Sequence, residues 1–283
     1  MFFCGALLLA QDSSEIYLFD LEELDTIIRI SNPINISNSP GYDNQPSFTE
    51  DGTGILFSSF RNGQADISKY FINEKYRVWI TDTKASEFSP MSYPGKKKNF
   101  TCVRLNEDET QLLYKYTYKN KPPEIMIPDA TVGYYLWFNE KTLISYIIGD
   151  TESLHVSNLK YKIKYPIQNN IGRSIQKIPY AASLGANLIS FISLEHEVPE
   201  IYSIDPINSN VKYITDALEG SQDLVWTKNG CMLMGKGNRI YRFCSEKDNT
   251  WCPIEIACDL PLEGITRIAI SPNGDKIAIV VTE

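Results

Sequence analysis

Histidine is nearly absent from this chain of 283 residues, which carries only His155 and His196. Serine, cysteine and threonine nucleophiles usually hand their proton to a histidine base, so the deficit removes most of that catalytic repertoire. Neither a Gly-x-Ser-x-Gly elbow nor a His-Glu-x-x-His zinc motif occurs. His155 falls inside a strand-like run and His196 in the acidic turn Glu195-His196-Glu197, the settings of one packed ring and one solvated ring. Positive charge is also short, with 27 Lys and Arg against 35 Asp and Glu and a net charge of -8. Nucleic-acid backbones demand a concentrated basic surface, so they are excluded as partners. The one dense basic run, Lys96-Lys97-Lys98, follows Pro94-Gly95 and reads as a solvated hairpin tip. Gly235-Lys236-Gly237 lacks the flanking residues of a phosphate loop and reads as a hairpin turn.

Long apolar runs are missing too. The best is Met1-Phe2-Phe3-Cys4-Gly5-Ala6-Leu7-Leu8-Leu9-Ala10, well short of the roughly 20 residues a membrane helix needs. Its apolar core ending in a small residue matches a secretory leader cut after Ala10, leaving residues 11–283 as the mature domain; with no basic residue before the core, an ordinary buried strand is the alternative. No cysteine pair has C-x-x-C spacing, so neither a zinc site nor a redox motif is expected. Cys244 and Cys252 flank the polar turn 245–250 and are placed to pair across a hairpin in an exported protein, whereas Cys102, Cys231 and Cys258 read as small buried hydrophobes. No metal or cofactor is expected.

What is present is a repeat. Gln45-Pro46-Ser47-Phe48-Thr49-Glu50-Asp51-Gly52, then Ile55-Leu56-Phe57 and Ala65-Asp66-Ile67, returns as Ile270-Ser271-Pro272-Asn273-Gly274 with Lys276-Ile277-Ala278. Leu224-Val225-Trp226-Thr227-Lys228-Asn229-Gly230 is a third copy, and weaker ones surround Ser92, Trp137 and Ile178. The anchors Phe48, Ser92, Trp137, Ile178, Trp226 and Ile270 lie 44, 45, 41, 48 and 44 residues apart. That period matches a propeller blade of four short strands. The alternations inside each unit have period two, and no helical pattern is longer than a turn. Third strands are expected at 16–19, 67–71, 112–116, 154–156, 201–204 and 240–243, and fourth strands at 26–30, 76–80, 124–127, 164–167, 211–214 and 254–257.

The fold class is therefore all-β, a six-bladed propeller of four-stranded antiparallel blades. The last copy, 266–281, holds only two strands, and residues 15–31 hold the other two. The N-terminal strands are expected to complete the C-terminal blade, so that no sheet edge stays open around the ring. Trp137 and Trp226 belong between blades.

On the motifs Pro46-Ser47-Phe48-Thr49-Glu50-Asp51-Gly52, Ile55-Leu56-Phe57, Ala65-Asp66-Ile67, Ser271-Pro272-Asn273-Gly274 and Ile277-Ala278, residues 14–281 resemble the WD-like repeats of bacterial TolB-like propellers. The same blades precede the catalytic domain of prolyl-oligopeptidase-like peptidases. The resemblance implies a periplasmic or cell-surface protein-interaction module, and at this length, without room for the extra α/β domain of TolB or for a hydrolase domain, a stand-alone propeller is expected.

Residues just before each anchor converge at a channel mouth in a propeller. They are Asp43-Asn44-Gln45, Ser86-Glu87, Gly133-Tyr134-Tyr135, Gly172-Arg173-Ser174, Gln222-Asp223 and Thr266-Arg267. Acids at 43, 87 and 223 alternate with Arg173 and Arg267, and the two tyrosines offer a stacking platform. The expected function is capture of a protein segment, peptide, carbohydrate or other small polar ligand by a monomer, without catalysis. Two other readings compete: a carbohydrate-active lyase or hydrolase using channel-mouth carboxylates such as Glu87 and Asp223, with or without a metal, and a purely structural subunit. Mouth groups that bond only to one another would serve the ring alone.

Overall fold

The computed structural model describes residues 13–25, 27–117, 121–179 and 187–282. The expected leader, residues 1–10, lies outside them, as does Thr26. Blade 1 consists of Asp43–Phe48, Gly54–Arg61, Gln64–Phe71 and Tyr76–Trp79, ordered from the ring axis outward. Blade 2 is Ser86–Ser92, Asn99–Leu105, Gln111–Thr117 and Glu124–Ile127; blade 3 is Val132–Asn139, Thr142–Ile147, Ser153–Asn158 and Ile163–Asn169. Blade 4 is Ile171–Lys177, Ile189–Ser193, Glu200–Ile204 and Val211–Asp216; blade 5 is Leu224–Trp226, Met232–Lys236, Arg239–Phe243 and Cys252–Pro253. No helix is present among the described residues, and so none there is long and apolar enough to cross a membrane.

Blade 6 closes the ring as its sequence halves require. Arg267–Ile270 and Lys276–Thr282 come from the C-terminus, Ser14–Leu24 and Ile27–Asn35 from the N-terminus. Ser14–Leu24 pairs with Lys276–Thr282 from Ser14 opposite Thr282 to Asp20 opposite Lys276. Its Ile16, Leu18, Phe19 and Leu21 are buried. Burying those four side chains is worth on the order of 6–12 kcal/mol, comparable with the whole stability of a typical domain.

Second strands are buried on both faces because each sheet is sandwiched between neighbours, and they read accordingly as continuous apolar runs such as Ile55-Leu56-Phe57 and Ile277-Ala278-Ile279-Val280. The seams are interdigitated: Phe57 and Ile55 of blade 1 meet Ile16, Leu18 and Val280 of blade 6. Trp137 donates its Nε1–H to Thr101 of the preceding blade at 3.0 Å, and Trp226 does the same to Ser190 at 2.8 Å. The repeated turns use glycine where the backbone must be left-handed, at Gly52 (φ 69°) and Gly274 (φ 72°).

Two expectations are corrected. The fourth strand of blade 5 is Cys252–Pro253 rather than 254–257. Pro253 has no N–H to continue the ladder, and the chain leaves the blade so that Ile254 and Ile256 pack on the blade 5–6 core. Glu255–Ala257 then adds to blade 6 as a fifth, parallel strand, with Arg29 opposite Glu255. The disulfide joins Cys244 to Cys231, not to Cys252. Pairing of Met232 with Phe243 sets the two cysteines one step beyond the ladder, with Cα atoms 4.3 Å apart, whereas Cys252 faces Arg242.

Candidate functional site

All six innermost strands run in the same direction along the axis, so their starts line one end of a central channel and their ends line the other. At the start side the channel narrows to a cavity of about 130 Å³, walled by residues 45–47, 89–91, 134–136, 173–176, 223 and 267–268. Beyond it, sharing Pro46, Ser47, Met91, Leu136, Gln176 and Ile268, the channel widens to about 850 Å³.

The narrow end is held by a clasp. Arg173 donates from Nε at 3.1 Å, and from Nη2, to Asp223 Oδ2. Arg267 Nη1 reaches Asp223 Oδ1 at 3.4 Å. Arg267 Nη2 donates to the Tyr134 hydroxyl at 3.0 Å, with the guanidinium carbon 5.1 Å from the Tyr134 ring centre. Arg173 Nη2 also donates to the Thr266 carbonyl at 3.2 Å. Burial disfavours the Arg267 charge, but Asp223, Tyr134 and Tyr42 outweigh it, so the net shift of its pKa is upward. Tyr42 belongs to the same electrostatic group; burial pushes its phenol up to about 12, opposed by Arg267 and Arg173. Tyr42 stands one residue before Asp43-Asn44-Gln45, outside the residues counted back from the anchors.

Of the residues expected here, Gln45, Tyr134, Arg173, Asp223 and Arg267 do come together, with Thr266 contributing its carbonyl. Gln45 Oε1 accepts from the Ser89 N–H at 2.7 Å and the Ser58 hydroxyl at 3.0 Å, tying blades 1 and 2 at the channel wall. Ser174 borders the cavity, but its hydroxyl is committed to the Leu224 backbone on both sides. Tyr135 is buried and donates to Thr101 at 3.0 Å, so it stitches blades 2 and 3 instead of offering a stacking face. Gln222 is exposed on the loop before blade 5.

Asp43, Asn44 and Glu87 lie in the seams. Glu87 is fully buried, accepting from Thr83 and, at 3.0 Å, from Tyr116. Burial is the main force raising its pKa to about 7; the Thr83 and Tyr116 bonds oppose it and nearby Asp66 adds to it. Asp43 is equally buried beside Ser39, with Arg77 at 3.7 Å, and burial raises it to about 6. Asn44 accepts from the Gln45 N–H and reaches Ser14 of the closing strand. The cause is backbone geometry: the innermost strands of blades 1 and 2 slip register between Asn44 and Ser47 and between Phe88 and Met91. Gln45 (φ 57°) and Ser89 (φ 50°) sit in those slips. A bulge turns the residues before it to the other face of the strand.

The wide end was not anticipated. It is lined by Phe48, Glu50, Phe138, Glu140, Lys177 and Lys228, among others. The same repeat phase carries the signal, read just after the anchors instead of before them: Glu50 follows Phe48 and Lys228 follows Trp226 by two residues. Glu50 accepts from the Gly95 N–H at 3.1 Å, and Lys228 donates to the Asn273 carbonyl at 3.2 Å. Lys177 is reached by solvent from inside the recess, yet the surrounding wall lowers its ammonium pKa by burial, with Glu50 partly restoring it.

The histidines lie away from the channel. His155 bonds Ser153 at 3.0 Å and borders a side recess with Lys164, while His196 is 63% exposed near Glu200.

No protein-family profile matches the chain, and no curated protein sequence matches it. Its fold is similar to that of solved propellers. A protein from Agrobacterium tumefaciens described as TolB superposes with a TM-score of 0.73 at 14% identity, over 97% of this chain and 99% of that one. TolB from Acinetobacter baumannii gives a TM-score of 0.58 at 13% identity, over 96% of this chain and 65% of that one. An oligogalacturonate lyase in complex with manganese gives 0.58 at 8% identity, over 97% and 99%. These likenesses establish the TolB-like six-bladed propeller fold.

Proposed function

We propose that the protein is an exported, monomeric binding module that takes a protein segment or small polar ligand into its central channel, without catalysis. Residues 1–10 serve as its export leader and residues 11–283 as one domain. The observation that carries the reading is the asymmetry of the channel: a recess of about 850 Å³ with aromatic and charged walls leads to a charged clasp at its narrow end. Concave sites with a few convergent polar groups are where small ligands and peptide segments bind. The Cys231–Cys244 disulfide supports export, since such bonds persist in oxidising compartments.

The hydrolase form of the competing reading needs two free carboxylates across the channel. Asp223 is shared by two guanidinium groups and Glu87 is enclosed in the blade 1–2 seam, which counts against hydrolysis by that pair. The test is a plug. Gln176→Trp fills the junction between the two cavities, and pull-downs from periplasmic extract compare it with the parent protein. Partners retained by the parent and lost by the plugged form support the reading; equal recovery from both overturns it.

A further inference from the structure

We propose that the narrow end of the channel is a receptor for a single carboxylate group. This rests on the channel-binding reading and specifies its ligand. Two guanidinium groups share one carboxylate there, leaving one positive charge uncompensated. Both are largely withdrawn from solvent, with the Arg173 side chain 29% and the Arg267 side chain 14% exposed. Among the described residues Asp223 is the only acid that pairs with either, and both of its oxygens are engaged.

Donors remain as well. A guanidinium has five N–H groups in a planar fork. Among the described residues no acceptor is bonded to Arg173 Nη1 or Arg267 Nε. The Tyr134 hydroxyl accepts from Arg267, which leaves its own proton to give. An incoming carboxylate would satisfy these donors and cancel the excess charge, in the charge-assisted pairing that arginine forms best.

Charge and size set the class. With Asp223 in place the site is one charge short, which suits a monoanion; a phosphate dianion would overshoot and meet the Asp223 carboxylate. A cavity of about 130 Å³ holds a carboxylate and the first atoms attached to it. The rest of the ligand extends into the wide end, through the stretch walled by Ser47, Met91, Leu136 and Gln176. A peptide C-terminus, a sugar acid and a small free acid share this chemistry.

NMR of the arginine Nε–H resonances at constant ionic strength reads the site directly. Acetate, an acetylated dipeptide with a free C-terminus, its C-terminal amide, galacturonate, chloride and phosphate are titrated separately, and the carboxylates are ranked to identify the source. Saturable shifts of Arg173 and Arg267 are expected with the free carboxylates and not with the amide. Arg267→Gln should weaken binding about 10- to 100-fold, the worth of one charged hydrogen bond. Asp223→Asn should tighten it and admit phosphate, an opposite sign that general damage to the fold does not produce. No saturable shift with any carboxylate, or equal response to chloride and phosphate in the parent protein, overturns the proposal. If the Gln176→Trp plug abolishes capture while carboxylates fail to bind, this assignment alone falls. If carboxylates bind but the plug changes nothing, the channel reading alone falls.

Discussion

The two ends of the channel are made by the same six strands and behave as different materials. At the narrow end, polar and charged groups from blades 3, 4, 5 and 6 bond to each other across the axis: Tyr134, Arg173, Asp223 and Arg267 form one connected unit. At the wide end Glu50 and Lys228 bond to the backbone of neighbouring loops, and Lys177 faces the recess. The narrow end thus ties four blades through one side-chain network, while at the wide end Glu50 and Lys228 each make a single side-chain-to-backbone bond to the adjacent blade. The difference teaches that a polar channel residue is best judged by whether its partner is another side chain across the axis or one backbone group of the adjacent blade.

Breaking the ring should remove the comparison altogether. Deleting residues 15–31 takes away both N-terminal strands of blade 6 and re-exposes the edge of Lys276–Thr282. Burial on the order of 6–12 kcal/mol is lost with the closing strand, so cooperative thermal unfolding by calorimetry should disappear.

Acid should act through the seams. Glu87 and Asp43 have folded-state values raised by burial to about 7 and about 6. The folded protein thus holds protons that the unfolded chain releases, and stability rises as pH falls from above 7 towards 4.5. For Glu87 the gain is roughly 3 kcal/mol, at 1.4 kcal/mol per unit. Below that window the unfolded chain takes up protons that Asp20 and Asp51, held below the usual carboxylate range by hydrogen bonds, still refuse in the fold, and stability turns down. Urea unfolding should peak near pH 5, and Glu87→Gln should raise stability at pH 7.5 and flatten the profile.

A smaller effect separates the ends directly. Asp223→Ala leaves two guanidinium groups facing each other without their counter-charge, and should cost about 2 kcal/mol in urea unfolding, reduced from the fully buried case by partial solvent access. Lys177→Ala at the wide end should change stability by less than about 0.5 kcal/mol, the range of a surface substitution. If the two costs are equal, the clasp is no more structural than the recess.

Much of the ring was legible in the sequence, because a blade is a local unit and its period repeats. The split final blade was legible for the same reason: two strands were missing at one end of the chain and present at the other. Glu255–Ala257 was not, since its parallel pairing with Arg29 and Ile30 depends on segments more than two hundred residues apart and leaves no local pattern. The site was half legible. Counting back from the anchors located Arg173, Asp223 and Arg267, but carried Asp43 and Glu87 into the channel, because a bulge at Gln45 or Ser89 turns the strand over without altering its spacing. Tyr135 was misjudged by the same count, since only its neighbour Tyr134 reaches the clasp.

The central claim is that ligands enter the channel. A photo-crosslinking residue placed at Gln176, which borders both cavities, tests it most directly against one placed at Tyr213, exposed on the outer strand of blade 4. In periplasmic extract the account expects adducts from position 176 and none from 213; adducts from 213 alone would contradict it.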